Sequence, residues 1–265
     1  MINVHNNKVV HFTMNLHTMP RTFYLTRHGQ SEYNLCGKIG GDSGLSANGL
    51  EYARRLAKFA DENIGHKKVI NEDGEEISVP QPARLWTSTL LRTKETAQFI
   101  KHDKLEGEKF DNGDTVSWVN FRPNARRNLD ELYAGVCDGM TYKEIEEMYP
   151  DEFEARQSDK LKYRYPRGES YMDVMLRLEP LAIDMERTRH PVLIICHQGI
   201  LRILLAYFTG LTRDEAPFVK IPLNHVMKLT PRPYGCDKEI ICLLDNSEMV
   251  DDGQDEPMTS IQETS

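Results

Sequence analysis

The chain has 265 residues, 39% of them hydrophobic, which suits one α/β domain with a sizeable core. Its formal charge of -8 argues against a general nucleic-acid or anionic-membrane binder. The 5 cysteines, at positions 36, 137, 196, 236 and 242, form no CxxC pair, and the 9 histidines form no HxH or HExxH arrangement, so neither a disulfide framework nor a metal centre is expected.

Residues Met1 to Thr18 are too polar and histidine-rich for a signal peptide, and no apolar stretch reaches membrane-spanning length. With scattered cysteines, this pattern fits a reducing, cytoplasmic setting. The first strong element is the apolar run Phe23-Tyr24-Leu25-Thr26, predicted as a buried strand that ends in Arg27-His28-Gly29-Gln30. Ser46 is placed to cap a helix whose apolar positions Leu50, Ala53, Leu56, Ala57 and Ala60 fall at helical spacing. Residues 65–82 are polar, carry the turn pair Asp73-Gly74, and read as an insertion with a hairpin.

A second strand, Arg84 to Thr87, leads through Ser88 into a helix predicted over about Leu90 to His102, which carries Arg92. Residues 103–126 are rich in Gly, Asp and Asn and read as a second insertion. Helices are predicted over about 141–148 and 150–156, and Val174, Leu178, Leu181, Ala182 and Met185 mark a longer amphipathic one. The run Val192 to Cys196 reads as a strand that delivers His197-Gln198-Gly199 ahead of a helix around Leu201. His225–Thr230 and Glu239–Leu244 look like closing strands, and the acidic tail 245–265 is expected to be disordered.

Two strands that each end in a histidine and a glycine suggest one site at the carboxyl edge of an open sheet, where ligands bind in α/β folds. Arg27 offers a planar fork of donors that suits phosphate oxygens. His28 offers a neutral nitrogen nucleophile near neutral pH, and Gly29 lets backbone approach a ligand closely. The same tripeptide also fits a buried structural histidine beside a surface arginine. Between Arg156 and Arg167 stand Arg156, Lys160, Lys162, Arg164 and Arg167 with a single acid, Asp159, a local reversal of charge in an acidic chain. Such a run fits either a solvated face or a second anion pocket.

Leu25-Thr26-Arg27-His28-Gly29-Gln30-Ser31-Glu32-Tyr33-Asn34 resembles the signature of the histidine phosphatase superfamily, the phosphoglycerate mutase-like fold. Gly37 to Ser46, Glu131 to Cys137, Met140-Thr141-Tyr142, Tyr149-Pro150, Tyr163 to Tyr171, Ile195 to Gln198 and Leu229-Thr230-Pro231 are similar to blocks of its fructose-2,6-bisphosphatase members. The resemblance spans about residues 8 to 243. It implies a three-layer α/β/α architecture with a mostly parallel open sheet, and a sugar bisphosphate as the small-molecule substrate. His28 becomes the nucleophile, with Arg27, Arg92, His197 and Asn34 around the transferred phosphoryl and Glu131 as proton donor. Gly40, Tyr142, Arg156, Lys160, Tyr171, Gln198 and Arg202 become substrate-binding residues. No metal and no cofactor is implied, because arginines and His197 neutralise the phosphoryl charge.

Lys8 to His17 and Pro20-Arg21-Thr22 resemble the segment that joins kinase to phosphatase in bifunctional 6-phosphofructo-2-kinase/fructose-2,6-bisphosphatases. Residues 1–21 are therefore expected to be such a junction, and 22–244 the phosphatase domain with its two insertions. No GxxxxGK[ST] phosphate loop occurs, so kinase activity is not expected of these residues. A kinase domain in a longer parent chain, or a second copy in a homodimer, is the implied partner. Three other readings share parts of the pattern: a phosphoglycerate mutase, a broad phosphomonoesterase, and an inactive sugar-phosphate-binding domain.

Overall fold

A computed structural model describes residues 21–105, 117–232 and 235–245. The segment read as a kinase–phosphatase junction, the acidic tail from 246 onward and residues 106–116 of the second insertion lie outside these. In chain order the elements are β1 (Phe23–Arg27), α1 (Glu32–Leu35), α2 (Ala47–Asn63), β2 (His66–Ile70), β3 (Glu76–Pro80) and β4 (Arg84–Thr87). Then come α3 (Leu91–Ala97), β5 (Lys104–Leu105), β6 (Trp118–Val119), β7 (Pro123–Ala125), α4 (Tyr142–Met148) and α5 (Pro150–Ser158). The chain continues through α6 (Tyr171–Arg187), β8 (Val192–Cys196), α7 (Gln198–Thr209), β9 (His225–Arg232) and β10 (Gly235–Cys242).

The central sheet has the order β10-β9-β1-β8-β4-β7. Strands β1, β8, β4 and β7 run parallel, while β9 and β10 close one side in antiparallel pairing. Every residue of β1 and β8 is buried, which is why both read as unbroken apolar runs. Alternate side chains then serve opposite faces. Phe23, Leu25, Val192 and Ile194 pack with Val174, Leu178 and Leu181 of α6 and Leu201, Leu204 and Leu205 of α7. Tyr24, Leu85, Leu193 and Ile195 pack with Tyr52, Leu56, Phe59 and Ala60 of α2. Each fully buried aliphatic side chain contributes about 1.5–3 kcal/mol, so these two layers hold the three-layer sandwich together. The helices start where serines cap them: Ser46 accepts from the Gly49 N–H, and Ser170 forms a reciprocal box with Asp173 at the head of α6.

Two expectations need correction. The helix after β4 ends at Ala97, short of His102. The Ile100 N–H bonds the Ala97 carbonyl at 3.0 Å, a tight turn that buries Ile100 in the α2-side core. Residues 123–125, read as part of a loop insertion, form β7, the parallel edge strand beside β4. Pro123 is tolerated there because an edge position leaves one side of the strand unpaired. Within 65–82 the chain forms the β2–β3 hairpin, with His66 opposite Pro80.

The glycine after His28 has a packing reason. A Cβ on Gly29 would lie 2.6 Å from the Gly49 carbonyl oxygen of α2, so here the close approach is to a helix. In the β1–β8 register, Arg27 is level with Cys196, which brings the next residues, His28 and His197, to adjacent strand ends.

Candidate active site

The two imidazoles meet with ring centroids 5.1 Å apart. Nδ1 of His28 lies 2.7 Å from the Gly29 carbonyl oxygen. A carbonyl only accepts, so Nδ1 carries the proton and Nε2 keeps its lone pair. That lone pair accepts from Nε of Arg92 at 3.1 Å, and an Nη1–H of the same guanidinium donates to the Gly41 carbonyl at 2.7 Å. Arg92 is held on the Gly40–Gly41 loop, and the loop in turn rests on Asp138, whose carboxylate accepts from the Gly41 N–H at 3.0 Å. Gly40 sits at φ +67, and a Cβ there would meet the Asp138 carboxylate, so this corner requires glycine.

His197 is fully buried, its Nε2 2.7 Å from Oγ of Ser88. Asn34 uses its side-chain oxygen to accept from the Ser31 N–H at the head of α1, which keeps its amide nitrogen as the donor available to a ligand. Glu131 lies on the segment following the 3-10 turn Arg127–Leu129. Its carboxylate accepts from the Leu132 N–H at 2.8 Å and from the Gly199 N–H, near the start of α7, at 3.3 Å.

Every candidate residue except His197 lines a single open cavity. Also on its lining, Arg156 donates to the Tyr142 hydroxyl at 3.1 Å and lies over that ring. Arg202 donates to the Tyr171 hydroxyl at 3.1 Å and to the Val219 carbonyl at 2.9 Å. The Lys160 ammonium lies over Phe218, 5.4 Å from the ring centre. Burial pushes the Tyr171 phenol up, with the Arg202 guanidinium opposing, so Tyr171 presents a neutral hydroxyl. Six cations therefore line one cavity: Arg27 and Arg92, whose charges act on His28, together with Lys38, Arg156, Lys160 and Arg202. Among the described residues no group of three or more His, Cys, Asp or Glu is placed to hold a metal ion, and no helix is long and apolar enough to cross a membrane.

Residues 23–241 match the model of the histidine phosphatase superfamily (branch 1). The chain belongs to that superfamily. Among curated relatives of this histidine phosphatase, 6-phosphofructo-2-kinase/fructose-2,6-bisphosphatase 1 of Mus musculus is 44% identical over 252 residues, 95% of this chain and 45% of its own length. The 6-phosphofructo-2-kinase/fructose-2,6-bisphosphatase of Aquarana catesbeiana is 42% identical over 95% of this chain and 46% of its own length. The chain thus spans less than half the length of these relatives. Among solved structures, YhfR of Bacillus stearothermophilus superposes with a TM-score of 0.62 at 24% identity, covering 83% of this chain and 96% of that one. The alpha-ribazole phosphatase of Shigella flexneri gives 0.63 at 16% identity, covering 83% and 95%. These two likenesses establish the fold, a phosphoglycerate mutase-like α/β sandwich.

The histidine phosphatase site also holds residues that the sequence reading left without a role. Ser31, Tyr33, Lys38, Tyr163 and Glu169 line the cavity, and Ser88 touches His197. Lys38 and Glu169 fall inside the family-like blocks, which is the only signal that could have singled them out. Lys162 does not line the cavity, and Arg164 pairs with Asp173 outside it.

Burial drives His28 and His197 well below the ordinary imidazole value, with Arg92 and Arg27 adding to the effect on both. Both rings are thus neutral in the folded chain. The unfolded chain binds protons on these imidazoles below about pH 6.5 and the folded one does not. Stability is therefore full above that pH and lost as pH falls through the lowered folded values. Thermal midpoints taken by circular dichroism should drop as pH is lowered from about 7.5 to about 5.5. The drop should be shallower in a His28→Gln, His197→Gln double variant. Equal slopes would contradict the neutral pair.

Proposed function

We propose that the chain hydrolyses the 2-phosphate of fructose 2,6-bisphosphate to fructose 6-phosphate and phosphate, through a phosphohistidine at His28. One observation carries the reading: a candidate nucleophile beside two arginines shares one cavity with further cations, Arg156, Lys160 and Arg202. A monophosphate needs only the two arginines. The names of the curated relatives, which include fructose-2,6-bisphosphatase, support the same substrate.

In this reading the His28 Nε2 lone pair attacks phosphorus in line, and the bond from phosphorus to the C2 oxygen breaks. Arg27 and Arg92 neutralise charge on the equatorial oxygens, where preorganised donors act most strongly, and Asn34 and His197 assist as neutral hydrogen-bonding groups. Glu131 gives a proton to the departing C2 oxygen, then takes one from the water that attacks the phosphohistidine and releases phosphate. Arg156, Lys160 and Arg202 hold the 6-phosphate, with Tyr142, Tyr171, Gln198 and Gly40 completing the pocket. A kinase region elsewhere in a longer parent protein is the partner that the relatives' names support. The thiols of Cys36, Cys137, Cys196, Cys236 and Cys242, all free, support assignment to the cytoplasm.

The test compares initial rates on fructose 2,6-bisphosphate, on phosphoglycerate with its bisphosphate primer, and on p-nitrophenyl phosphate. The bisphosphate should be strongly preferred; preference for phosphoglycerate, or none at all, would overturn the reading. Loss of one charge-assisted contact costs about 1.5–3 kcal/mol, roughly 10- to 150-fold in an equilibrium constant. Arg156→Ala and Lys160→Ala should raise KM for the bisphosphate by that order, with some loss of kcat where 6-phosphate binding also orients C2. Hydrolysis of p-nitrophenyl phosphate should change far less. Parallel losses on both substrates would make the cluster a support for the fold and favour a broad phosphatase.

A further inference from the structure

Arg177 lies in the second turn of α6, outside the lining of the main cavity, yet its guanidinium gathers the backbone that carries Glu131. One Nη donates to the Asn128 carbonyl at 2.6 Å, and the other to the carbonyls of Asp130 at 2.7 Å and Glu131 at 3.2 Å. The same side chain holds Glu169 through Nε at 2.8 Å and Nη2 at 3.1 Å, and Glu169 in turn accepts from the Tyr133 N–H at 3.1 Å. Asn128 returns the contact, its amide donating to the Arg177 carbonyl at 2.6 Å. Residues 130–134 have no helix or strand of their own, and this planar fork with its carboxylate partner makes four of the contacts that hold the backbone from Asn128 to Tyr133.

We propose that Arg177 is the positioning residue for proton transfer by Glu131, fixing where its carboxyl stands relative to the scissile oxygen. This rests on the reading of Glu131 as the proton donor. A donor carboxyl must reach hydrogen-bond distance of one particular oxygen, and small displacements are costly. Lysine cannot replace the fork, since an ammonium is a point donor that cannot serve three carbonyls and a carboxylate together. The segment has other attachments: the Gly199 N–H to the Glu131 carboxylate, the Glu169 N–H to the Tyr133 carbonyl at 2.8 Å, and the Thr89 N–H and hydroxyl to the Asp130 carboxylate, the N–H at 2.6 Å and three residues before Arg92. Disturbance passing through Thr89 would loosen Arg92 and slow every substrate alike. Disturbance through Glu131 slows only substrates whose leaving oxygen needs a proton.

The experiment uses the whole chain with Arg177→Met, Arg177→Lys, Glu131→Gln and the Glu131→Gln, Arg177→Met double variant. Each is assayed on fructose 2,6-bisphosphate and p-nitrophenyl phosphate, with thermal midpoints measured alongside. Both Arg177 variants should lose about 10- to 100-fold in kcat on the bisphosphate, the scale of a misplaced catalytic group, with KM little changed. The loss on p-nitrophenyl phosphate, a good leaving group, should be at least about tenfold smaller. The double variant should be no slower than Glu131→Gln alone, because both act through one group. Equal losses on both substrates by the Arg177 variants, or additive losses in the double variant, would overturn the positioning role while leaving Glu131 as donor. If Glu131→Gln itself slowed both substrates equally, the donor reading would fail and this proposal with it. Should Arg177→Met not fold, Arg177→Lys keeps the charge and alone gives the same split.

Discussion

His28→Ala is expected to leave the protein unable to form a covalent phosphate and to cut turnover of fructose 2,6-bisphosphate to near background. The Nδ1–H bond to the Gly29 carbonyl makes Nε2 the nitrogen with a lone pair, and Nε2 is the atom that Arg92 faces. The other imidazole of the site is engaged differently, with Nε2 of His197 against Ser88, so it is not placed to take over the attack. Deleting a nucleophile that works as a unit with its neighbours costs on the order of 10⁶-fold in kcat. Substrate labelled at the 2-phosphate, quenched after a brief incubation, should leave acid-labile, alkali-stable label on the wild-type enzyme. The variant should carry none. An acid-stable label on a serine, or unimpaired turnover by the variant, would refute the mechanism. The variant should still bind the bisphosphate, since Arg27, Arg156, Lys160 and Arg202 remain.

The strands that place His28 could be read from residues alone because β1 and β8 are buried on both faces and so appear as continuous apolar runs. The edge strand β7 could not. Its Pro-Asn-Ala sequence is exposed throughout and carries no periodic signal; only pairing with β4 makes it a strand. The end of α3 was hidden for a related reason, because the turn at Ile100 answers to the α2 core and not to local propensity. Within the site, strand-end histidines are a physical signal, whereas Glu131 is one carboxylate among 41 acidic residues and stood out only through its family-like block. Arg177 gave no signal at all. An arginine on an amphipathic helix reads as a solvated charge, and the carbonyls it serves lie nearly 50 residues upstream, with separations of 46 to 49. Gly29 was legible as a special position, but its reason lay in the packing of α2.

Glu131→Gln is expected to lower kcat on fructose 2,6-bisphosphate by about 10²–10⁴-fold, the usual scale of general acid catalysis. The substitution keeps shape and removes the transferable proton. Its structural cost is small but not zero, because the carboxylate oxygens accept from the Leu132 and Gly199 N–H groups and an amide can satisfy only one such donor well. KM should change little, since the amide keeps the shape of the side chain in the cavity and adds no charge beside bound phosphate. The deciding measurement is leaving-group dependence. The sugar leaves through an alkoxide that must be protonated as its bond to phosphorus breaks, whereas p-nitrophenolate departs readily without help. A large loss on the sugar bisphosphate with a small one on the aryl ester would identify the missing group as a proton. Equal losses would mean that Glu131 instead shapes the pocket through its bond to the start of α7. Glu131→Asp separates these alternatives further. It keeps an acid and shortens the reach by one methylene, so a loss close to that of the glutamine variant would show that position matters as much as the proton itself.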